Sequence, residues 1–169
     1  MTETEIIEKI LQGDVDKFSL LLDKYQRQIL AYTARLLNYN QHDAEDVTSN
    51  AFVKAFVNLA GFNQTLKFNS WLYRIAHNEA VNFIKQNSRY FTFDNQTFEA
   101  PVNFDFDKPN KEDLEKILSR LKIEDKNILV LFYLEEKSLR EISQILKITE
   151  NNAKVKLHNA RNKAKKLVK

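Results

Sequence analysis

No cysteine occurs among the 169 residues, and glycine and proline occur twice each. The first absence removes a disulfide framework, a thiolate metal site and a thiol nucleophile together, and it fits a reducing compartment. The second removes the residues that close hairpins and break helices, so a mostly helical chain follows. Two glycines also cannot build a glycine-rich phosphate loop. No apolar run approaches the ~20 residues that span a bilayer. The start, MTETEIIEKI, is acidic and amphipathic, where a signal peptide needs a basic start and an apolar run. The expectation is a cytoplasmic protein with no membrane insertion. His42, His77 and His158 lie far apart, with no metal-ligand spacing, and nothing nominates a nucleophile or a general base. The chain therefore reads as a non-enzyme that needs no metal and no cofactor.

What is present is concentrated at one end. Residues 113–169 hold 14 Lys+Arg against 8 Asp+Glu, whereas residues 1–87 hold 9 against 10. Within the basic third, Ser138 and Glu141 have the spacing of a capping box, in which the hydroxyl and the carboxylate satisfy backbone N–H groups of a helix start reciprocally. Leu139, Ile142, Ile145 and Leu146 then repeat as one buried face, Lys147 and Ile148 break the period, and Thr149 can cap a second helix. That is the outline of a helix-turn-helix. In the second helix Ala153, Leu157, Ala160, Ala164 and Leu167 form a narrow apolar stripe, and from Asn151 onward there is no acidic residue. Asn151, Asn152, Lys154, Lys156, His158 and Arg161 supply amides and cations able to reach base edges and phosphates. The same composition also suits a solvated helix C-terminus, where cations are favoured by the helix dipole.

The amino-terminal half reads as four helices. Thr2 and Glu5 can form a capping box for a short helix closed by Gly13, and a longer one follows from Asp14, with Val15, Phe18, Leu21, Tyr25, Ile29 and Tyr32 among its core positions. After a turn at Asn38, Tyr39 and Asn40, a third helix carries Asp43, Glu45 and Asp46 in its first turns and Ala44, Val47, Ala51, Phe52, Ala55, Phe56 and Leu59 on its apolar face. Three carboxylates on one exposed turn exceed what capping requires, so they serve either the helix dipole or a docking surface. A polar loop, FNQTLKF, leads to a fourth helix with Trp71, Leu72, Ile75, Ala76, Ala80, Phe83 and Ile84 inward and Arg74, His77, Asn78, Asn82, Lys85 and Arg89 on its other faces. Those faces could serve a nucleic-acid groove, but on residues alone an ordinary solvated surface is the commoner reading.

Residues 88–112 hold both prolines, phenylalanines alternating with polar residues, and a net negative balance, which favours a linker over a short hairpin. The fold class expected is all-α, with two small helical domains, 1–87 and 113–169, joined by a flexible linker, 88–112. In the second domain a helix from Asp113 and another through Ile128, Leu129, Leu131, Phe132 and Leu134 would pack under the helix-turn-helix.

Three segments in order resemble the extracytoplasmic-function sigma factors, the compact alternative sigma subunits of bacterial RNA polymerase. They are Asp43-Ala44-Glu45-Asp46 with Phe52 and Lys54-Ala55-Phe56, then Phe68-Asn69-Ser70-Trp71-Leu72-Tyr73-Arg74-Ile75-Ala76-His77-Asn78, then Glu141 to Thr149 with Ala153-Lys154-Val155-Lys156-Leu157-His158-Asn159-Ala160-Arg161. The resemblance implies a subunit that binds core RNA polymerase and directs it to promoter DNA to initiate transcription. It implies docking through Asp43, Glu45 and Asp46. It implies a minus-ten reader made of Asn63, Lys67, Arg74, Asn78, Asn82 and Lys85, and a minus-thirty-five reader made of Asn151, Asn152, Lys154, Lys156, His158 and Arg161. An anti-sigma factor as regulatory partner, and an acidic linker threading the RNA exit path, follow from the same likeness. The chain departs from the family at Lys147, where a turn glycine is common, and at Asn152 to Lys156, so no base preference carries over. The competing readings are a one-component helix-turn-helix regulator independent of core polymerase, and a helical adaptor using only the acidic surface.

Overall fold

A computed structural model describes residues 1–87, 105–108 and 110–167. Among the described residues every regular element is helical, and the chain divides into two compact units, Met1–Phe83 and Ile84–Lys169.

The first unit contains α1 (Glu3–Leu11), α2 (Phe18–Leu36) and α3 (Gln41–Val57), and most of α4 (Phe68–Gln86). The capping box of α1 forms as its sequence requires: Glu5 N–H donates to Thr2 Oγ1 and Thr2 N–H to Glu5 Oε2. Gly13, at φ +108°, then turns the chain back, with Asp14 N–H donating to the Lys9 carbonyl. A 3-10 turn at Val15–Lys17 intervenes before α2, which leaves Val15 exposed instead of in the core. Asn38 and Tyr39 both take left-handed conformations, and Tyr39 N–H closes α2 on the Ala34 carbonyl. Asn40 caps α3 by accepting from Asp43 N–H. α2 and α3 bury Thr33 and Thr48, whose hydroxyls lie 2.8 Å apart, with Thr33 also within reach of the Leu30 and Ala44 carbonyls. Tyr32 and Tyr73, both fully buried, pack with ring centroids 5.0 Å apart. Phe62, Phe68 and Trp71 form a second aromatic cluster with centroids 5.0–5.7 Å apart, which pins the loop before α4.

The second unit contains α5 (Lys111–Leu118), α6 (Ile123–Leu129), α7 (Leu139–Leu146) and α8 (Glu150–Leu167). α5 begins two residues before the expected Asp113 because Asn110 supplies the cap, accepting from Glu112 N–H. α6 runs directly into a π-helical turn, Val130–Leu134, closed by Glu135 N–H on the Val130 carbonyl and followed by Glu136 at φ +54°. Leu114, Ile117, Leu118, Leu121, Ile128, Leu129 and Leu131 are buried together with Ile142 and Ile145 of α7 and the Ala153, Leu157, Ala160, Ala164 stripe of α8. Phe106, placed in the linker by its sequence context, is buried instead: its ring packs on Tyr133 at 5.9 Å, with Lys165 Nζ 5.9 Å from its centroid. The remainder of the expected linker, 88–104, and Arg89 with it, lies outside the described residues.

Candidate nucleic-acid interface

The helix-turn-helix is assembled by local rules. Ser138 Oγ accepts from Glu141 N–H at 3.1 Å while Glu141 Oε2 accepts from Ser138 N–H at 2.9 Å. α7 ends at Lys147, which adopts φ +55°, ψ +48°, and Ile148 N–H closes the turn on the Ser143 carbonyl. A non-glycine residue in this conformation costs about 1 kcal/mol. Thr149 Oγ1 then accepts from Asn152 N–H at 3.1 Å and starts α8 at Glu150, as the cap in the sequence requires.

With the alanine stripe buried, Asn151, Asn152, Lys154, Lys156 and His158 are all exposed on α8. Arg161 is not among them. Its Nε donates to Tyr133 Oη at 2.5 Å, and its guanidinium lies 5.4 Å and 5.6 Å from the Tyr133 and Phe132 ring centroids. Arg161 sits one position from Ala160 on the wheel edge that meets the π turn, partly buried where the five other expected contacts are exposed. Burial pushes the Tyr133 hydroxyl above its usual range, with the Arg161 charge opposing that rise. Lys163 is likewise engaged, 3.0 Å from Asp125 of α6. Three residues at the centre of the outward face are not singled out by composition: Val155, Asn159 and Asn162, all exposed, with Asn162 Nδ2 3.2 Å from His158 Nε2. Their angular position opposite the alanine stripe is the signal that would have found them.

On α4, Asn78, Asn82 and Lys85 are exposed at three- and four-residue spacing, so they form one strip with Arg74. Arg74 is half-buried, and desolvation lowers its guanidinium's proton affinity without removing its charge. Asn63 and Lys67 belong to the preceding loop, but they differ in role. Asn63 Oδ1 accepts from Thr65 N–H at 3.0 Å and from Thr65 Oγ1 at 2.8 Å, which shapes the loop. Lys67 borders a cleft of about 380 Å³ lined also by Glu3, Tyr25, Phe62, Gln64 and Phe68. The rim of that cleft is tied by Glu3, which accepts from Tyr25 Oη at 2.5 Å and from Lys24 Nζ at 2.7 Å. Burial, reinforced by Glu3, pushes the Tyr25 hydroxyl up to about 12.

The acidic turn of α3 divides. Asp43 is only 4% exposed, on the side of α3 that also buries Ala44 and Val47. Glu45 and Asp46 face solvent, Glu45 accepting from Gln41 Nε2 at 2.8 Å and Asp46 lying 3.5 Å from His42 Nδ1. The three carboxylates thus do not share one exposed surface. The exposed face instead continues from Glu45 and Asp46 into Val53, Phe56 and Val57, the last 70% exposed, although helical spacing assigns Phe56 to the core. The Phe56 ring meets Phe18 in a T-shaped pair with centroids 5.1 Å apart and stays 41% exposed.

No described helix is long and apolar enough to cross a membrane, and no described cluster of His, Asp and Glu could hold a metal ion. Comparison with known proteins matches Sigma-70 region 2 to residues 21–90 and Sigma-70, region 4 to residues 111–163. The ECF RNA polymerase sigma factor SigW of Bacillus subtilis (strain 168) is 32% identical over 175 residues, covering 95% of this chain and 93% of its own. The ECF RNA polymerase sigma-E factor of Haemophilus influenzae is 27% identical, covering 95% and 92%. Among solved structures, CnrH in complex with the cytosolic domain of CnrY superposes with a TM-score of 0.68 at 21% identity, covering 96% of this chain and 94% of that one. The sigma factor RpoE of Bartonella quintana, in complex with the anti-sigma factor NepR, gives 0.65 at 19%, covering 89% and 95%.

Proposed function

The chain belongs to the ECF family of RNA polymerase sigma factors, and on that premise we propose which of its surfaces performs each part of promoter recognition. As a sigma factor it is a transcription initiation factor that joins core RNA polymerase and directs it to promoter DNA. The observation that carries the assignment of surfaces is α8: a doubly capped helix-turn-helix presents a helix whose outward face holds amides and cations and no carboxylate beyond Glu150.

α8 enters the major groove of the minus-thirty-five element, with Asn151, Asn152 and His158 toward base edges and Lys154 and Lys156 toward phosphates. Arg161 holds the helix in place through Tyr133. The strip Arg74, Asn78, Asn82 and Lys85, with Lys67, takes the minus-ten element, and the cleft beside Lys67 and Gln64 accepts a base splayed from the stack. The exposed face of α3 docks on core polymerase. Glu45 and Asp46 steer by charge, Val53, Phe56 and Val57 supply apolar area, and Asp43 organises the helix start from inside. Such an exposed apolar strip is also what a regulatory anti-sigma factor would cover to keep the protein off polymerase. Work on a nucleic-acid template with a polymerase partner places the protein in the cytoplasm.

The test is run-off transcription with bacterial core polymerase, with and without the protein, on templates selected by the holoenzyme. Initiation should appear only with the protein and should be lost when Glu45→Lys and Asp46→Lys are combined, with the fold intact by circular dichroism. Tight duplex binding by the protein alone, with no initiation from a matched polymerase, would instead establish a one-component regulator.

A further inference from the structure

Val155 is 49% exposed in the middle of the outward face of α8, directly opposite the buried Ala153, Leu157, Ala160 and Ala164. A β-branched residue in an exposed helix interior is a poorer helix former than the lysines beside it. Half of its surface faces solvent, and the core lies on the other side of the helix. Folding therefore gives no reason for a valine here.

Its neighbours supply one. Asn151 and Asn159 sit one turn to either side, each about 6 Å along the helix axis, and His158 and Asn162 complete the ring of exposed polar side chains around it. Among base edges in the major groove, the 5-methyl group of thymine is the apolar one, and asparagine is the side chain that pairs in bidentate fashion with adenine N6 and N7. Arginine, the commonest reader of guanine, is missing from this face because Arg161 is held by Tyr133. Lys154 and Lys156, also exposed, flank the centre on either side.

Resting on the assignment of α8 to the minus-thirty-five element, we propose that Val155 is a specificity-determining residue that packs on a thymine methyl group, with Asn151 and Asn159 on adjoining adenines. The element this protein recognises is then centred on A·T pairs read through the major groove.

The experiment selects minus-thirty-five sequences from a randomised duplex with the reconstituted holoenzyme, then replaces each selected thymine in turn by deoxyuridine, which lacks only the methyl group. One position should lose affinity by about fourfold, the worth of one methyl-sized apolar contact. Val155→Ala should lose the same factor on the thymine template and be indifferent to deoxyuridine at that position, while Val155→Thr, which keeps one methyl, should retain part of the sensitivity. Selected sequences without thymine in this half-site, or full deoxyuridine sensitivity in Val155→Ala, would overturn the assignment to Val155 and leave the sigma-factor reading standing. A holoenzyme that selects no sequence at all would overturn the promoter reading, and Val155 with it.

Discussion

The two units solve the same problem of burying helices in opposite ways. In Met1–Phe83 the helices α2 and α3 run 19 and 17 residues without interruption, aromatic pairs fill the core, and the buried hydroxyls of Thr33 and Thr48 satisfy each other. In the second unit α5, α6 and α7 are 7–8 residues long, α6 slips into a π turn, Glu136 and Lys147 are left-handed, and Lys126 is buried with its pKa pushed down to about 8 by desolvation. Two of these irregularities bear on α8, the long described helix of that unit. The π turn brings Phe132 and Tyr133 under Arg161, and Lys147 sets the angle at which α8 leaves α7. Left-handed residues do not separate the units, since Asn38 and Tyr39 take that conformation in the first; the short helices and the π turn do.

Core truncation should separate the units most sharply. Leu72→Ala and Ile142→Ala, both at fully buried positions, should each cost about 2–5 kcal/mol, and calorimetry should show each lowering one of two transitions. A single transition moved by both would break the comparison.

Lys126→Met comes next. The native pKa near 8, against 10.5 for the ordinary side chain, means the folded unit disfavours the charged form, a penalty on the order of 3 kcal/mol that is fully present below pH 8. It is relieved as pH rises from 8 to 10.5, where the unfolded chain also loses its proton. The second unit should therefore gain stability across that window, and Lys126→Met should be more stable at pH 7 and flat with pH. The first unit should do the reverse at higher pH: Tyr25, held protonated up to about 12, stabilises below pH 10 and loses that contribution as pH climbs from 10 toward 12. Denaturant titrations across a pH series measure both slopes.

Lys147→Gly should add about 1 kcal/mol to the second unit by removing left-handed strain. The matching change in the first unit, Asn38→Gly, should add less, since asparagine tolerates φ +53° better than lysine tolerates φ +55°. The smallest effect on stability belongs to Lys154→Ala with Lys156→Ala, which should leave both transitions within about 0.5 kcal/mol. The pair should nevertheless reduce the slope of log affinity against log salt by about one unit for each phosphate left without its lysine.

What was legible in the sequence was whatever depends on near neighbours along the chain. The Ser138 and Glu141 capping box, the Thr149 cap and the Gly13 closure each follow from a few consecutive residues, and each is present, whereas the left-handed turn at Lys147 was signalled only by the family's usual glycine there. Helical period also gave most of the core. It failed where a side chain's environment is set by a distant segment. Asp43 and Glu45 look alike in sequence, yet one is covered and the other is not. Arg161 has the composition of a DNA contact and is claimed by Tyr133, 28 residues away. Phe106, amid acidic residues and near a proline, carries no period that reveals its burial. The π turn left no trace in the pattern, because Val130 to Leu134 is apolar in any helical register.

The burial of Phe106 bears on how the chain can be divided into pieces. Judged by helices alone, a carboxy-terminal fragment would begin at Lys111, but that cut removes the ring packed on Tyr133 and the turn in which Asp107 N–H and Lys108 N–H both donate to Asp105. A fragment beginning at Asp105 brings its own stopper for the socket beside Arg161 and Lys165, whereas one beginning at Lys111 leaves that socket wet. The natural edge of the second unit's helical core is therefore a phenylalanine upstream of α5, and a truncation series monitored by melting temperature should step at residue 106 and not at the start of α5.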